Sequence, residues 1–558
     1  MTPDPISDAD RVLGWLDDPA GTRGVRFRQD DGSWRRTPYP ELADLTLRAG
    51  AALADAGVRP GQVVPLVLPN GLDFVTHFFG LLAIGATPSV LPLPWTIRAG
   101  SGYADHLRAI LDRLRPDHVV VGPAHREVFH RVMSEVDNVV RVVDPGYAEH
   151  ARDAPRRRGD LAVLQFTSGS RGNPRGLRIT TANLAANLRA MQEWMRLEDH
   201  GAVSWLPTYH DMGLVGTMLA HTTLQLEHAV LRPEHFLRDP RGWLAEYGRA
   251  PYAAMVMPNF GFDLLLARVG PQDVAGLDFS GLRCVVSGAE RVDPAVLSRF
   301  HRLLEPHGLR GDALMPAYGL AECTLAVTGR RAAGPPRLVR TGVERDLGEK
   351  VDVRDSAELT TEPVADPRLW QVGCGRPLDG VEVGILDDDG VEQPEGVVGE
   401  ILVRGPSVAA GYLDAAPEDA ARFTAAGFRT GDAGFLLDGE LYVIGRLGDS
   451  VKVNGQNVFM EDVELELVAR DLVSRRNAVV VAGVLRSTPT VLVVTERPLA
   501  ADAVPATEAA VRALTGDGVT VRVLHVRSGS IPRTSSGKPR RRALWLAYLS
   551  GELAQVAP

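Results

Sequence analysis

Lysine is nearly absent from this sequence: of 61 basic residues only Lys350, Lys452 and Lys538 are lysine. The rest are arginine, in a chain also rich in alanine, glycine and proline, as a coding sequence rich in G and C would give. A lysine that survives such a bias marks a place where a guanidinium will not serve, because the ammonium is a compact point charge. Cysteine is equally scarce. Cys284, Cys323 and Cys374 are too few and too widely spaced to indicate a disulfide framework or a zinc site. No apolar run approaches the ~18 residues that span a bilayer, and Met1 to Asp10 is polar and acidic, without a signal-peptide pattern. Long blocks of like charge are missing too, and the formal net charge of −9 argues against a nucleic-acid partner. A soluble cytoplasmic protein is expected.

What the chain does have is length and alternation. Its 558 residues exceed one ordinary core, so two or more domains are expected. Helical spacing over Glu41 to Gly57 and Leu72 to Ile84 alternates with short apolar runs at Gln62 to Leu68 and His118 to Gly122. Repeated to about residue 330, this predicts layered α/β structure with mainly parallel sheet. Asp346 to Arg368 is polar and aperiodic, an exposed excursion. Strand patterns at Val381 to Leu386, Gly399 to Arg404 and Glu440 to Ile444 then predict a β-rich subdomain. A boundary falls at Arg446 to Asp449, leaving residues 450–558 as a small α+β domain behind a large N-terminal domain of residues 1–445.

The strand pattern Leu161 to Phe166 runs into Thr167-Ser-Gly-Ser-Arg-Gly-Asn-Pro-Arg-Gly176. Small hydroxyl residues and glycines let backbone N–H groups approach phosphate oxygens, although the Gly-Lys-Ser/Thr ending of a Walker loop is absent. Taken alone, the segment is equally a flexible turn. It does not stand alone. Further motifs follow in order: Ser204-Trp-Leu-Pro-Thr-Tyr-His-Asp-Met-Gly213, Pro258-Asn-Phe260, Ser287-Gly-Ala-Glu290 and Ala317-Tyr-Gly-Leu-Ala-Glu322. Then come Arg429-Thr-Gly-Asp432, Gly445-Arg446 and Ser535-Ser-Gly-Lys538, with Arg540-Arg-Arg542 after it. Together they resemble the adenylate-forming superfamily of acyl-CoA synthetases, adenylation domains and luciferases, and within it the fatty acyl-AMP ligase branch.

The resemblance implies an acyl-activating ligase that handles an acyl-AMP and passes the acyl group to a thiol. Thr167, Ser168, Gly169, Ser170 and Gly172 would cradle the ATP phosphates. Gly288, Ala289 and Glu290 would line the adenine site, with Tyr318 and Gly319 against the base. Glu322 would help hold Mg²⁺, Asp432 would accept from the ribose hydroxyls, and Arg446 would donate at the same sugar. His210, Asp211, Met212, Gly213, Met257 and Phe260 would border the acyl group of a carboxylic acid. Lys538 would stabilise charge during adenylation and Lys452 would act in thiol transfer. The family rotates its small, mobile domain between the two half-reactions, here about a hinge at residues 446–449 with Gly448 at its centre.

Two features leave the reading open. Arg171 stands in the phosphate loop where the family has threonine, which would impair adenylation more than binding of acyl-AMP. Such a chain would mainly convert preformed acyl-AMP, supplied by a partner adenylating enzyme. The excursion at Asp346 to Arg368 falls where fatty acyl-AMP ligases carry an insertion, and its position does not decide between coenzyme A and the phosphopantetheine of an acyl carrier protein. A non-catalytic nucleotide-binding scaffold is the competing class, and a luciferase-like oxidation of the adenylate a more distant one. Retention of Glu322, Asp432 and Lys538 together argues against the scaffold.

Overall fold

The computed structural model describes residues 7–93, 101–134, 140–151, 159–168, 174–331, 334–342, 347–453, 456–485, 488–516, 519–533 and 539–553. Two sheets organise the first half. In one, the strands Ala254–Met257, Cys284–Ser287 and Leu314–Gly319 run parallel beside His200–Ser204, Glu227–Val230 and Gly24–Arg28, within a nine-stranded sheet. In the other, Thr87–Val90, Val63–Val67, His118–Val121 and Arg141–Val143 are all parallel. Several of these strands, such as Ala254–Met257 and Cys284–Ser287, are buried along their whole length. Parallel strands covered by helices on both faces are uniformly apolar for this reason. The helix Leu72–Ala83 is buried from Phe74 to Ala83, the pattern of a helix enclosed in a core.

The β-rich part follows. Glu382–Leu386, Gly399–Arg404, Gly427–Leu437 and Glu440–Arg446 form one antiparallel sheet. The register of its last pair sets Asp432 directly opposite Arg446, next to a shift between Ala433 and Gly434. Irregularities of this kind re-aim side chains beside functional sites. The polar excursion is not irregular throughout. Val353–Glu358 is a strand paired with Arg337–Thr341, which also pairs with Trp370–Val372. All six residues of Val353–Glu358 are exposed, so no alternation of apolar and polar residues marked it in the sequence.

Beyond the turn Leu447–Asp449 lies the smaller C-terminal domain. Its sheet comprises Ala478–Leu485, Thr488–Thr495 and Thr520–His525. Alternation divides the side chains between two cores. Val480, Val491 and Val493 pack with the helices Met460–Ala469 and Ala503–Thr515, while Val479, Val481, Leu492 and Val494 meet Leu544 and Trp545 of the helix Arg541–Ser550. Phe459 instead joins Phe435, Tyr442 and Ile444, seating the start of this domain on the β-rich sheet.

Candidate functional site

One cleft of about 1190 Å³ lies between the two domains and gathers the C-terminal ends of the parallel strands. Ligands of open α/β sheets bind at that end, where loops diverge and backbone N–H groups point outward. The strand Leu161–Ser168 brings Thr167 to its wall, and the pairing of Thr167 with Arg175 and of Ser168 with Pro174 defines a hairpin. Gly169, Ser170, Arg171 and Gly172 at its tip lie outside the described residues, as does the side chain of Ser168.

The cleft floor is built by backbone in close contact. Gly288 follows the strand Cys284–Ser287, and Ala289 holds a left-handed φ of 67°, uncommon for a residue with a Cβ. Glu290 Oε1 accepts from the Phe260 N–H at 2.9 Å, at the start of the helix Asn259–Leu266. A negative charge is favoured there by the orphan N–H groups and the helix dipole. At Gly319 a Cβ would stand 2.1 Å from the Leu325 carbonyl oxygen, so only glycine fits.

Tyr318, Asp432 and Arg446 form one unit. The Tyr318 hydroxyl donates to Asp432 Oδ2 at 2.7 Å, and Arg446 Nε donates to Oδ1 at 3.0 Å. Burial, and then the Asp432 charge, push the Tyr318 phenol well above its ordinary value. The Asp432 charge likewise raises the Arg446 guanidinium. A carboxylate has about four acceptor positions. Two protein donors therefore leave Asp432 able to accept from a sugar.

Glu322 sits on the turn Ala321–Cys323, also on the cleft, with its carboxylate Oε1 accepting from the Tyr412 hydroxyl at 2.5 Å. Among the described residues no group of three or more His, Cys, Asp or Glu could hold a metal ion. A lone carboxylate nonetheless suits Mg²⁺, which keeps several waters and is commonly shared between one protein carboxylate and substrate phosphates.

Also in the large domain, His210 Nδ1 lies 2.6 Å from Asp211 Oδ1, which also accepts from the Met212 N–H at 2.8 Å. Met212 and Phe260 reach the cleft. Gly213 and Met257 do not line it. A Cβ on Gly213 would stand 2.2 Å from the Pro207 carbonyl oxygen, so the glycine closes the turn behind the wall. Met257 is fully buried, and its neighbour Val256 is the residue that lines the cleft. Consecutive strand residues face opposite ways, and a strand buried on both sides does not reveal which face meets the cavity.

The C-terminal domain supplies the remaining side. Arg475 donates to Asp293 Oδ2 at 2.5 Å, Arg476 Nη2 to the Asp263 carbonyl at 3.0 Å, and Arg291 pairs with Asp462. Arg541 contacts Asp449 at 3.3 Å, Glu461 at 2.9 Å and Glu464 at 2.9 Å. Burial, opposed by Arg541 and reinforced by Asp449 and Glu464, raises the Glu461 carboxyl to about 7. His106, buried and then facing the Arg540 charge, is lowered to about 4 and is neutral at pH 7. Lys538 lies outside the described residues, between Arg533 and Pro539, which both line the cleft. The backbone of Lys452 pairs with Asn457, and its side chain is outside the description. Gly448 lines the cleft, and a Cβ there would meet nothing within 4 Å. Tyr412 and Glu461 were not anticipated from the sequence, and Arg541, in the basic run Arg540-Arg-Arg542, was read there without its acidic partners. Their partners lie in other motifs, and a lone tyrosine among ten carries no local signal.

A layered α/β body, a smaller C-terminal domain and a cleft between them are the architecture of the adenylate-forming enzymes that the comparisons identify. Residues 17–413 match the family described as AMP-binding enzyme, and the chain belongs to it. It is 30% identical to the long-chain-fatty-acid–AMP ligase FadD32 of Mycolicibacterium smegmatis, across 98% of this chain and 95% of that protein. It is 31% identical to the medium-chain-fatty-acid–[acyl-carrier-protein] ligase JamA of Moorena producens, across 93% and 90%. A solved structure from work on fatty acyl-adenylate ligases of E. coli and L. pneumophila superposes with a TM-score of 0.84 at 28% identity, covering 98% of this chain and 99% of the other. The fatty acyl-adenylate ligase from L. pneumophila in complex with acyl adenylate and pyrophosphate superposes with a TM-score of 0.70 at 25% identity, covering 99% and 97%. The chain is thus an adenylate-forming acyl ligase that uses ATP and a carboxylic acid. Among the described residues no helix is long and apolar enough to cross a membrane.

Proposed function

We propose that this enzyme joins a carboxylic acid to AMP in the cleft and then delivers the acyl group to a phosphopantetheine thiol of a carrier protein, in the cytoplasm. The observation that carries the reading is the convergence of Tyr318, Asp432 and Arg446 with Glu322 on one cleft. Asp432 takes the ribose hydroxyls as a charged acceptor, a hydrogen bond of the stronger kind. Tyr318, anchored through its hydroxyl, keeps its ring fixed against the base. The acid needs no general base, because a carboxylate is already ionised at neutral pH. Its oxygen attacks the α-phosphorus, a new P–O bond forms, and the bond to the β-phosphate oxygen breaks with pyrophosphate leaving. Mg²⁺, held by Glu322 together with the phosphates, would neutralise charge on the triphosphate. Thr167, Ser168, Gly169, Ser170 and Gly172 cradle those phosphates, and Lys538 places its ammonium on the developing charge.

In the second step the thiol sulfur attacks the acyl carbonyl, AMP leaves, and the thiol proton passes to solvent. Rotation about residues 446–449, centred on Gly448 and separating domains 1–445 and 450–558, exchanges Lys538 for the face bearing Lys452. Carrier protein is preferred to coenzyme A because the turn Pro367–Leu369 of the excursion lies against the helix Met460–Ala469 and would restrict that rotation. The name of the relative JamA points the same way. The test is mass spectrometry of products from a panel of acids, with ATP or with presynthesised adenylates, and with coenzyme A or a phosphopantetheinylated carrier. Acyl-carrier formed from acid and ATP supports the reading; no thioester from any combination overturns it.

A second reading rests on Arg171. A guanidinium beside the β- and γ-phosphate positions would hinder adenylation and leave transfer from preformed acyl-AMP intact. Pyrophosphate release would then rise in Arg171→Thr, whereas equal and robust release by both proteins removes this reading.

A further inference from the structure

The phosphate hairpin and Glu322 are joined by a short strap, residues 406–413. At one end, Thr324 Oγ1 donates to the Ser407 carbonyl at 2.7 Å and the Ala409 N–H donates to the Glu322 carbonyl at 2.9 Å. At the other, the strap runs along the return arm of the hairpin, Pro174–Thr180. The Ala410 N–H donates to the Arg178 carbonyl at 2.9 Å, the Arg178 N–H to the Gly411 carbonyl at 2.9 Å, and the Leu413 N–H to the Gly176 carbonyl at 2.6 Å. Asn183 adds side-chain donation to the Pro406 and Val408 carbonyls at 2.7 and 2.8 Å.

Tyr412 is the side chain that converts this backbone connection into a constraint on chemistry. It is 6% exposed, and Glu322, which accepts its hydroxyl proton, is 8% exposed. Its ring lies under the Arg175 guanidinium, 5.6 Å from centroid to carbon, and Arg175 in turn meets Asp419 at 2.7 Å. Arg175 stands on the hairpin itself, opposite Thr167. A chain of contacts therefore leads from the phosphate hairpin through Arg175 and Tyr412 to one carboxylate oxygen of Glu322. A glutamate carboxylate turns about three side-chain bonds and swivels unless one oxygen is tied, and partners of ligating carboxylates set their aim.

We infer that Tyr412 is a positioning residue: by holding Glu322 Oε1, it aims Oε2 at the divalent cation that accompanies the nucleotide phosphates, in register with the hairpin. The inference rests on the proposed role of Glu322. Tyr412→Phe removes the hydroxyl and keeps the ring beneath Arg175. The decisive measurement is Mn²⁺ affinity, read by electron paramagnetic resonance, of the full chain with α,β-methylene-ATP. Affinity for an acyl-sulfamoyl adenosine, which lacks the β- and γ-phosphates, is measured alongside. Tyr412→Phe should weaken Mn²⁺ about tenfold, the usual scale for losing a partner of a metal ligand, with acyl-sulfamoyl adenosine bound as in wild type. Glu322→Gln should lose Mn²⁺ affinity further, and Arg175→Met should show a smaller loss than Tyr412→Phe. Wild-type Mn²⁺ affinity in Tyr412→Phe, with loss in Glu322→Gln, overturns the inference and leaves the role of Glu322 standing. Equal loss of both ligands in Tyr412→Phe makes the hydroxyl a structural group and also overturns it. Unchanged Mn²⁺ affinity in Glu322→Gln removes the role of Glu322 and the inference with it.

Discussion

The two walls of the cleft are built by different means. The wall of the large domain is packed backbone: Gly319 presses on the Leu325 carbonyl, and Asp432 is held on both oxygens by Tyr318 and Arg446. The wall of the small domain is held across the joint by ion pairs and polar contacts, including Arg291–Asp462 and Arg475–Asp293, beside a Gly448 with open space around it. Close-packed interiors deform little. Domain interfaces within a chain are more polar than a core, and relative motion of domains is the ordinary expectation there. One wall is held by packing and the other by polar pairs between the domains.

Substitutions should respect this division. Asp432→Ala has the largest expected effect on nucleotide binding, about a hundredfold by equilibrium titration with ATP, because a charged acceptor is lost and Arg446 keeps no partner on it. Gly319→Ala should cost about 1–3 kcal/mol in denaturant unfolding, since the Leu325 carbonyl cannot yield as a side chain would. Arg475→Ala, which leaves the buried Asp293 without this partner, should leave ATP affinity within about twofold while changing the ratio of pyrophosphate release to thioester formation. If it weakened ATP binding as Asp432→Ala does, the distinction between the walls would fail.

The joint should also feel pH through Glu461. Its carboxyl is raised from 4.5 to about 7, so the folded chain binds a proton more tightly than the unfolded chain does. The contribution is full below pH 4.5 and is lost as pH rises to about 7, beyond which it no longer changes. Glu461→Gln should flatten that slope in urea midpoints measured across the window, while an unaltered slope would assign it elsewhere. Asp449, Glu464 and Arg541 share the site with it. The smallest effect is expected from Gly448→Ala. With nothing within 4 Å of the added carbon, stability should stay within about 0.5 kcal/mol.

Much of the large-domain wall was legible in the sequence through the family resemblance, since its parts are short motifs that carry that resemblance. Ala317 to Glu322 and Arg429 to Asp432 are such runs, and the register of one hairpin then brought Asp432 to Arg446. The polar connections were not legible. Tyr412 and Glu322 are 90 positions apart, and Arg475 and Asp293 are 182 apart. Met257, beside the motif Pro258-Asn-Phe260, was expected to border the acyl group, yet it is Val256, one step back along the strand, that lines the cleft. The strand Val353–Glu358 escaped because an edge strand exposed on all its residues needs no apolar alternation.

By itself, the sequence determined the α/β class, because hydrophobic period is a property of neighbouring residues, and it pointed to the family through the resemblance of a series of motifs in order. Tertiary structure alone decided which carboxylate oxygens are tied, which strand face meets the cavity and how the small domain is fastened. Those depend on side chains that fold together from distant segments, and no local pattern encodes the distance between Tyr412 and Glu322.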